Sequence, residues 1–174
     1  MKTFLEIGSC DFNTLTHLSH HGWRGVIVEP IKKYFDNIPT EPNIDYVNAA
    51  VDWTDGTATM WTAPDEVTKR DQDFKGMSTI HNRGNSVQSV PIEVRTISFK
   101  TLLGMTDVTH IDFLKIDTEG YDGEILKMFP WDTLQPNLIQ FESKHIELPP
   151  IIELLKSKGY HCQVESENTF AILL

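Results

Sequence analysis

Basic residues are scarce. Fifteen Lys and Arg stand against twenty-five Asp and Glu, a net charge of −10. That excludes nucleic acid as a bulk partner, because phosphate contacts need clustered Lys and Arg. It suits a cationic ligand, or simply solubility. Cysteine is almost missing. Cys10 and Cys162 form no recognisable framework, so a reduced, cytoplasmic protein is expected. No apolar run is long enough to span a bilayer, and no membrane partner is expected. The run after Met1, Lys2 and Thr3 is too short for a secretory leader and has no small-residue cleavage site. Internal repeats and low-complexity tracts are also lacking. What remains is 174 residues, 40% hydrophobic, enough for one domain, 1–174, with a sizeable core.

The chain is organised around Thr109–Asp122. An apolar run, Ile111 to Ile116, reads as a buried central strand. A burst of charge follows: Lys115, Asp117, Glu119 and Asp122. Gly120 breaks it, and Asp122 to Phe129 takes helical spacing. Strand, acidic loop, helix is how an open α/β sheet builds a site at the carboxyl ends of its strands. The plainer alternative is a solvated turn before a helix whose N-terminus favours acids.

The same pattern recurs. Phe4 to Ile7 is a strand that runs into the loop Gly8-Ser9-Cys10-Asp11-Phe12. Asn13 can cap a helix to His21, stopped by Gly22. Gly8 lets the backbone approach a ligand closely, while helix N–H groups face an anionic group. Gly25 to Val28 is a second strand with Glu29 at its end and Pro30 at the start of the next helix. An acid about 20 residues after a glycine loop is placed to accept hydrogen bonds from a ribose diol. Ile44 to Val51 is a third strand. Small Ala49 and Ala50 at its end leave room for a flat ring, and Asp52 can reach an exocyclic amine. Thr57 to Thr62 and Ile92 to Ile97 alternate and read as strands. Ser98 caps a short helix, Phe99 to Leu103, ended by Gly104.

The segment 63–91 has no clear period. A loop of that length in a compact domain is functional or disordered, and it reads as a substrate-facing lid with Met77, Ser78, His81 and Arg83 as contacts. Asn137 to Glu142 is another buried strand ending in an acid, with His145 just beyond. After a helix from Ile151 to Lys158, Tyr160–Glu165 and Thr169–Leu174 read as a hairpin. The result is an α/β fold with a mostly parallel sheet, helices on both faces and a C-terminal antiparallel hairpin. Asp11, Glu29, Asp117 and Glu142 converge on one sheet edge.

Lys115-Ile116-Asp117-Thr118-Glu119-Gly120 resembles the signature of FkbM-type methyltransferases. Collinear matches surround it: Phe4 to Gly8, Val28 to Pro30, Asn48 to Val51 with Gly56, Val94 to Ile97, and Leu138 to Glu142. The resemblance covers nearly the whole chain. It implies a Rossmann-like class I methyltransferase fold, S-adenosylmethionine as cofactor, and methylation of a hydroxyl on a small-molecule or sugar acceptor. It implies that Glu6, Gly8, Ser9, Cys10 and Asp11 hold the methionine end and that Glu29 and Pro30 serve the ribose side. Ala50, Val51 and Asp52 would flank the adenine, and Asp117 would sit where cofactor and acceptor meet. A hydroxyl acceptor needs a base or a metal; His145 is the first candidate base, His81 the second. Asp117 is a base, a steering acid, or, with Glu142, a ligand of a divalent cation.

Two departures from the family pattern are visible. Phe12 stands where the loop's last glycine is expected. The sequence also begins at the first strand, without the helices that often precede it, which fits a minimal form or one completed by a second copy or partner subunit. The competing class is a nucleotide-binding or scaffolding module of the same fold without turnover.

Overall fold

A computed structural model describes residues 1–12, 14–70, 74–80 and 89–174. Its elements are β1 (Thr3–Ile7), a 3-10 helix (Thr16–His21), β2 (Arg24–Val28), α1 (Lys32–Phe35), β3 (Ile44–Val47), β4 (Ala50–Val51), β5 (Gly56–Thr62) and α2 (Asp65–Arg70). Then follow β6 (Val90–Ile97), α3 (Phe99–Thr106), β7 (Phe113–Ile116), α4 (Asp122–Met128), β8 (Leu138–Glu142), α5 (Leu148–Ser157), β9 (Tyr160–Glu165) and β10 (Asn168–Leu173).

Seven strands form one sheet in the order β3-β2-β1-β7-β8-β10-β9. β1 pairs in parallel with β2 and β7, while β10 runs antiparallel between β8 and β9. The chain moves outward from β1 to β3, then returns to the other side of β1. The crevice between β1 and β7 is therefore the switch point, where open α/β sheets bind ligands.

Alternation along β1 splits the core. Leu5 and Ile7 join the larger cluster, with Phe99 and Leu102 of α3, Ile125 and Leu126 of α4, and Ile151 and Leu155 of α5. Phe4 points the other way and packs with Leu15, Ile27 and Ile38. Both faces are thus covered near β1, as a parallel sheet requires. A glycine is needed at Gly25 for that second face: a Cβ there would lie 2.2 Å from Phe4 Cζ.

Several local expectations are corrected. The third strand splits at Asn48, whose side-chain amide donates to the carbonyls of Glu29 (2.8 Å) and Pro30 (3.1 Å). This anchor turns the chain, so Ala50 and Val51 leave the main sheet and pair with Thr96 and Ile97. The outcome is a second sheet, β4-β6-β5, which alternation alone does not reveal. The helix after Pro30 starts at Lys32 and has four residues. The segment before Gly22 is 3-10 rather than α, and Asn13, its expected cap, lies outside the described residues. α3 passes through Gly104 and ends where Asp107 turns left-handed, with φ 52°. The stretch 63–91 is not without structure: it contains α2, and Thr79 bridges to Trp61.

Candidate functional site

A cavity of about 460 Å³ opens at the carboxyl ends of β1, β2 and β7, a size suited to a small organic ligand. Of the residues expected to bind cofactor, Gly8, Ser9, Cys10, Glu29, Pro30, Ala50, Val51 and Asp117 line it; Glu6, Asp11 and Asp52 do not. Gly8 is obligatory: its φ is +83°, and a Cβ would lie 1.9 Å from the carbonyl oxygen of Asp117. Phe12 lies on the cavity wall. It is 54% exposed, and its ring edge lies over Gly76, where a Cβ would come within 2.8 Å of it.

Glu29 is 4% exposed. Its Oε2 accepts from the Cys10 N–H and its Oε1 from the Ile31 N–H, both at 2.8 Å. Burial pushes its carboxyl up to about 7, against the pull of those two N–H groups. Burial likewise pushes the Cys10 thiol up to about 12, which disfavours the reactive thiolate.

Asp122 shapes the loop after β7. Its side chain is fully buried. Oδ2 accepts from the Thr118 hydroxyl at 2.9 Å and the Gly120 N–H at 3.2 Å, and Oδ1 accepts from the Glu142 N–H at 3.2 Å. One carboxylate therefore ties the end of β7 to the end of β8. It holds a turn in which Glu119 and Gly120 both have positive φ, 55° and 96°. Burial raises the Asp122 carboxyl to about 6.

Two residues of one pleat, Glu6 and Lys115, face each other across β1 and β7. Lys115 Nζ lies 2.8 Å from Glu6 Oε1, 3.2 Å from Thr14 Oγ1 and 3.9 Å from Asp117 Oδ2. The Thr14 hydroxyl donates to the same Glu6 oxygen. Glu6 is thereby screened, and the cavity meets Lys115 and Thr14 instead. The Asp117 side chain is 46% exposed, and protein atoms around it hold its carboxyl above the usual range, partly offset by Lys115.

Asp11 and Asp52 stand behind other residues. Asp11 pairs with Lys75 at 2.8 Å, and Lys75 lines the cavity. Asp52 accepts from the Tyr121 hydroxyl at 2.7 Å, and Tyr121 lines the cavity in its place. His145 falls in a second cavity of about 390 Å³, beside Gly123, Lys127 and Pro150. Its Nε2 lies 4.0 Å from Oε2 of Glu119, which lines the first cavity. Glu142 is grouped with Glu119 and His145, their ligand-type atoms lying within 4.8 Å of one another; Asp117, its expected partner for a cation, is not in that group. His81 and Arg83 lie outside the described residues.

Met77 and Ser78, expected as lid contacts, line the cavity together with Met60, Ile80 and Tyr34. Tyr34 reads from spacing as a core position, and Met60 as a bulky strand residue. Neither signal distinguishes a cavity wall from a core. The Tyr34 hydroxyl is buried and has no hydrogen-bond partner among the described residues.

Among solved structures, a precorrin-6y C5,15-methyltransferase from Geobacter metallireducens aligns with TM-score 0.52 and 14% identity, over 98% of this chain and 77% of that one. An O-methyltransferase from Bacillus cereus in complex with SAH aligns with TM-score 0.46 and 12% identity, over 98% and 74%. A ribosomal protein L11 methylase from Lactobacillus delbrueckii subsp. bulgaricus gives 0.45 and 10%, over 97% and 67%. No curated protein matches significantly. The Geobacter likeness is one of fold: the Rossmann-like class I methyltransferase sheet, with its antiparallel strand between β8 and β9. The family model for the methyltransferase FkbM domain matches residues 6–162, and the chain therefore belongs to the FkbM family of S-adenosylmethionine-dependent methyltransferases.

Proposed function

We propose that this single domain methylates a hydroxyl on a small molecule or sugar, with Asp117 as the group that accepts the hydroxyl proton. The observation that carries the reading is a solvent-reachable Asp117 carboxylate, raised above its ordinary range, on the wall of the same cavity as the buried Glu29. A base next to the donor site is what a hydroxyl acceptor needs.

The residues present fit the cofactor. Glu29 lies at the end of β2 with a carboxylate for a ribose diol. Ala50, Val51, Pro30 and Met60 would enclose a flat ring, and Gly8, Ser9 and Cys10 would bring backbone against the amino-acid end. When bound, the cofactor supplies a methyl already activated on a sulfonium. The protein's task is then alignment and exclusion of water, and alignment is worth roughly 7–11 kcal/mol. Met77 and Ser78 would cover the acceptor side. Asp11 and Asp52 act through Lys75 and Tyr121 as positioning residues. Glu119, backed by His145, is the second base that the geometry supports.

The test is transfer of labelled methyl from S-adenosylmethionine to a panel of sugars and alcohols, with amines and thiols alongside. Incorporation into hydroxyls is expected, and Asp117→Asn should lower it about a hundredfold or more. Incorporation into nitrogen or sulfur acceptors alone overturns the O-methylation reading.

A further inference from the structure

We propose that Lys115 is a binding residue for the carboxylate of the cofactor's amino-acid end, held in place by Glu6. This rests on the reading of the 460 Å³ cavity as the cofactor site. An acid at the end of a first strand, followed by a glycine loop, suggests that the cavity offers an acceptor there. The structure offers a donor. Glu6 is fully buried, with Oε1 covered by Lys115 and Thr14, and it is Lys115 and Thr14, not Glu6, that line the cavity.

Glu6 Oε2 is buried without a partner among the described residues, and the hydrogen bonds of Lys115 leave one opening on the donor side. An ammonium has three N–H donors. One goes to Glu6 at 2.8 Å and one to Thr14 at 3.2 Å. Asp117, at 3.9 Å, is beyond hydrogen-bond reach, so the third has no hydrogen-bond acceptor among the described residues. The side chain is only 11% exposed, so its stem is fixed and its head has little water to turn to. A cation in that state suits an anionic oxygen. The Glu6 pair also prevents Lys115 from swinging away: parting them would leave a buried carboxylate alone, which is costly.

The neighbouring charge selects the ligand further. An α-amino-acid end carries one carboxylate and one ammonium. Lys115 beside Asp117 presents one cation and one anion 3.9 Å apart. A multiply charged anion such as phosphate would be repelled by Asp117, whereas an amino-acid end, with one carboxylate and no net charge, is tolerated beside it, which leaves the Asp117 carboxylate for the acceptor.

The experiment compares calorimetric titrations with S-adenosylmethionine and with its decarboxylated form, which keeps the sulfonium and the ammonium. Wild type should prefer the intact cofactor by about tenfold to a hundredfold, the size of one charge-assisted hydrogen bond. A chain of net charge −10 would otherwise favour the more cationic decarboxylated ligand. The double variant Glu6→Gln/Lys115→Met removes both charges of the pair together and so avoids an orphaned carboxylate. With its fold verified by thermal melting, it should discriminate by no more than about twofold. Equal binding of both ligands by wild type overturns the proposal without any variant. Full discrimination retained by the folded variant overturns it as well. Binding of neither ligand by wild type overturns the cavity reading beneath it.

Discussion

Glu29 accepts the backbone N–H of Cys10 at 2.8 Å, so the acid that ends β2 also fixes the loop that leaves β1. One carboxylate thus serves the fold and the ligand side of the cavity. Its protonation state couples the two.

That coupling gives a pH dependence. The Glu29 carboxyl is raised from 4.5 to about 7, and that of Asp122 from 3.8 to about 6, both chiefly by burial. The folded chain therefore holds these protons more tightly than the unfolded chain. Their stabilising contribution is complete below about pH 4 and is lost as pH rises to about 7. Melting of the ligand-free protein should show stability falling between pH 5 and 8, by on the order of 1–3 kcal/mol. Cofactor affinity should run the other way, rising as Glu29 ionises and levelling above about pH 7.5. Glu29→Gln should flatten the affinity curve and make the stability curve shallower, leaving the part due to Asp122. A melting temperature that rises steadily from pH 5 to 8 would count against the buried-acid account.

Asp122 holds four groups, the Thr118 N–H and hydroxyl and the N–H groups of Gly120 and Glu142. Asp122→Ala should destabilise the chain by about 2–4 kcal/mol, because buried donors are left unmatched. The turn at Glu119 would loosen, and cofactor affinity should fall with it. Asp122→Asn, which keeps one acceptor oxygen, should cost less. Chemical denaturation of the three proteins ranks them.

Two glycines provide a matched contrast. Gly8→Ala places a methyl into the Asp117 carbonyl at a positive φ and should abolish cofactor binding with a loss of roughly 2 kcal/mol or more in stability. Gly104 lies inside α3 with nothing within 4 Å of its Cβ position among the described residues. Gly104→Ala should stabilise the chain by about 0.5–1 kcal/mol. Melting temperatures moving in opposite directions would bear out the assignment; a tolerated Gly8→Ala would remove the close approach from the account.

The strand ends were legible because alternation and apolar runs mark them, and Glu29 and Asp117 follow directly from where those runs stop. Their neighbours were not. The partner of Lys115 is 109 residues away, so its ion pair leaves no local trace. Asp122 looks like any acid in a helix's first turn, and only the packed structure makes it fully buried. The second sheet depends on the Asn48 anchor, a side-chain contact rather than a periodicity. His145 stands just past a strand end, as a site residue would, yet the loop it enters carries it to the far side of Glu119.

The Tyr121–Asp52 bond, 2.7 Å long, is the contact that separates wall from support. On the proposed reading of Asp52 as a positioning residue, Tyr121→Phe should lower stability by about 1 kcal/mol and leave the affinity for S-adenosylmethionine within about threefold. A tenfold loss of affinity would instead make the Tyr121 hydroxyl a direct ligand contact.

The most direct test of the central claim is calorimetric titration of wild type and Glu29→Ala with S-adenosylmethionine. Saturable one-to-one binding is expected for wild type, weakened by about 1.5–3 kcal/mol in the variant, as loss of charge-assisted hydrogen bonds requires. Binding that is undiminished in a folded Glu29→Ala, or absent from wild type, would contradict the assignment of this cavity to the cofactor.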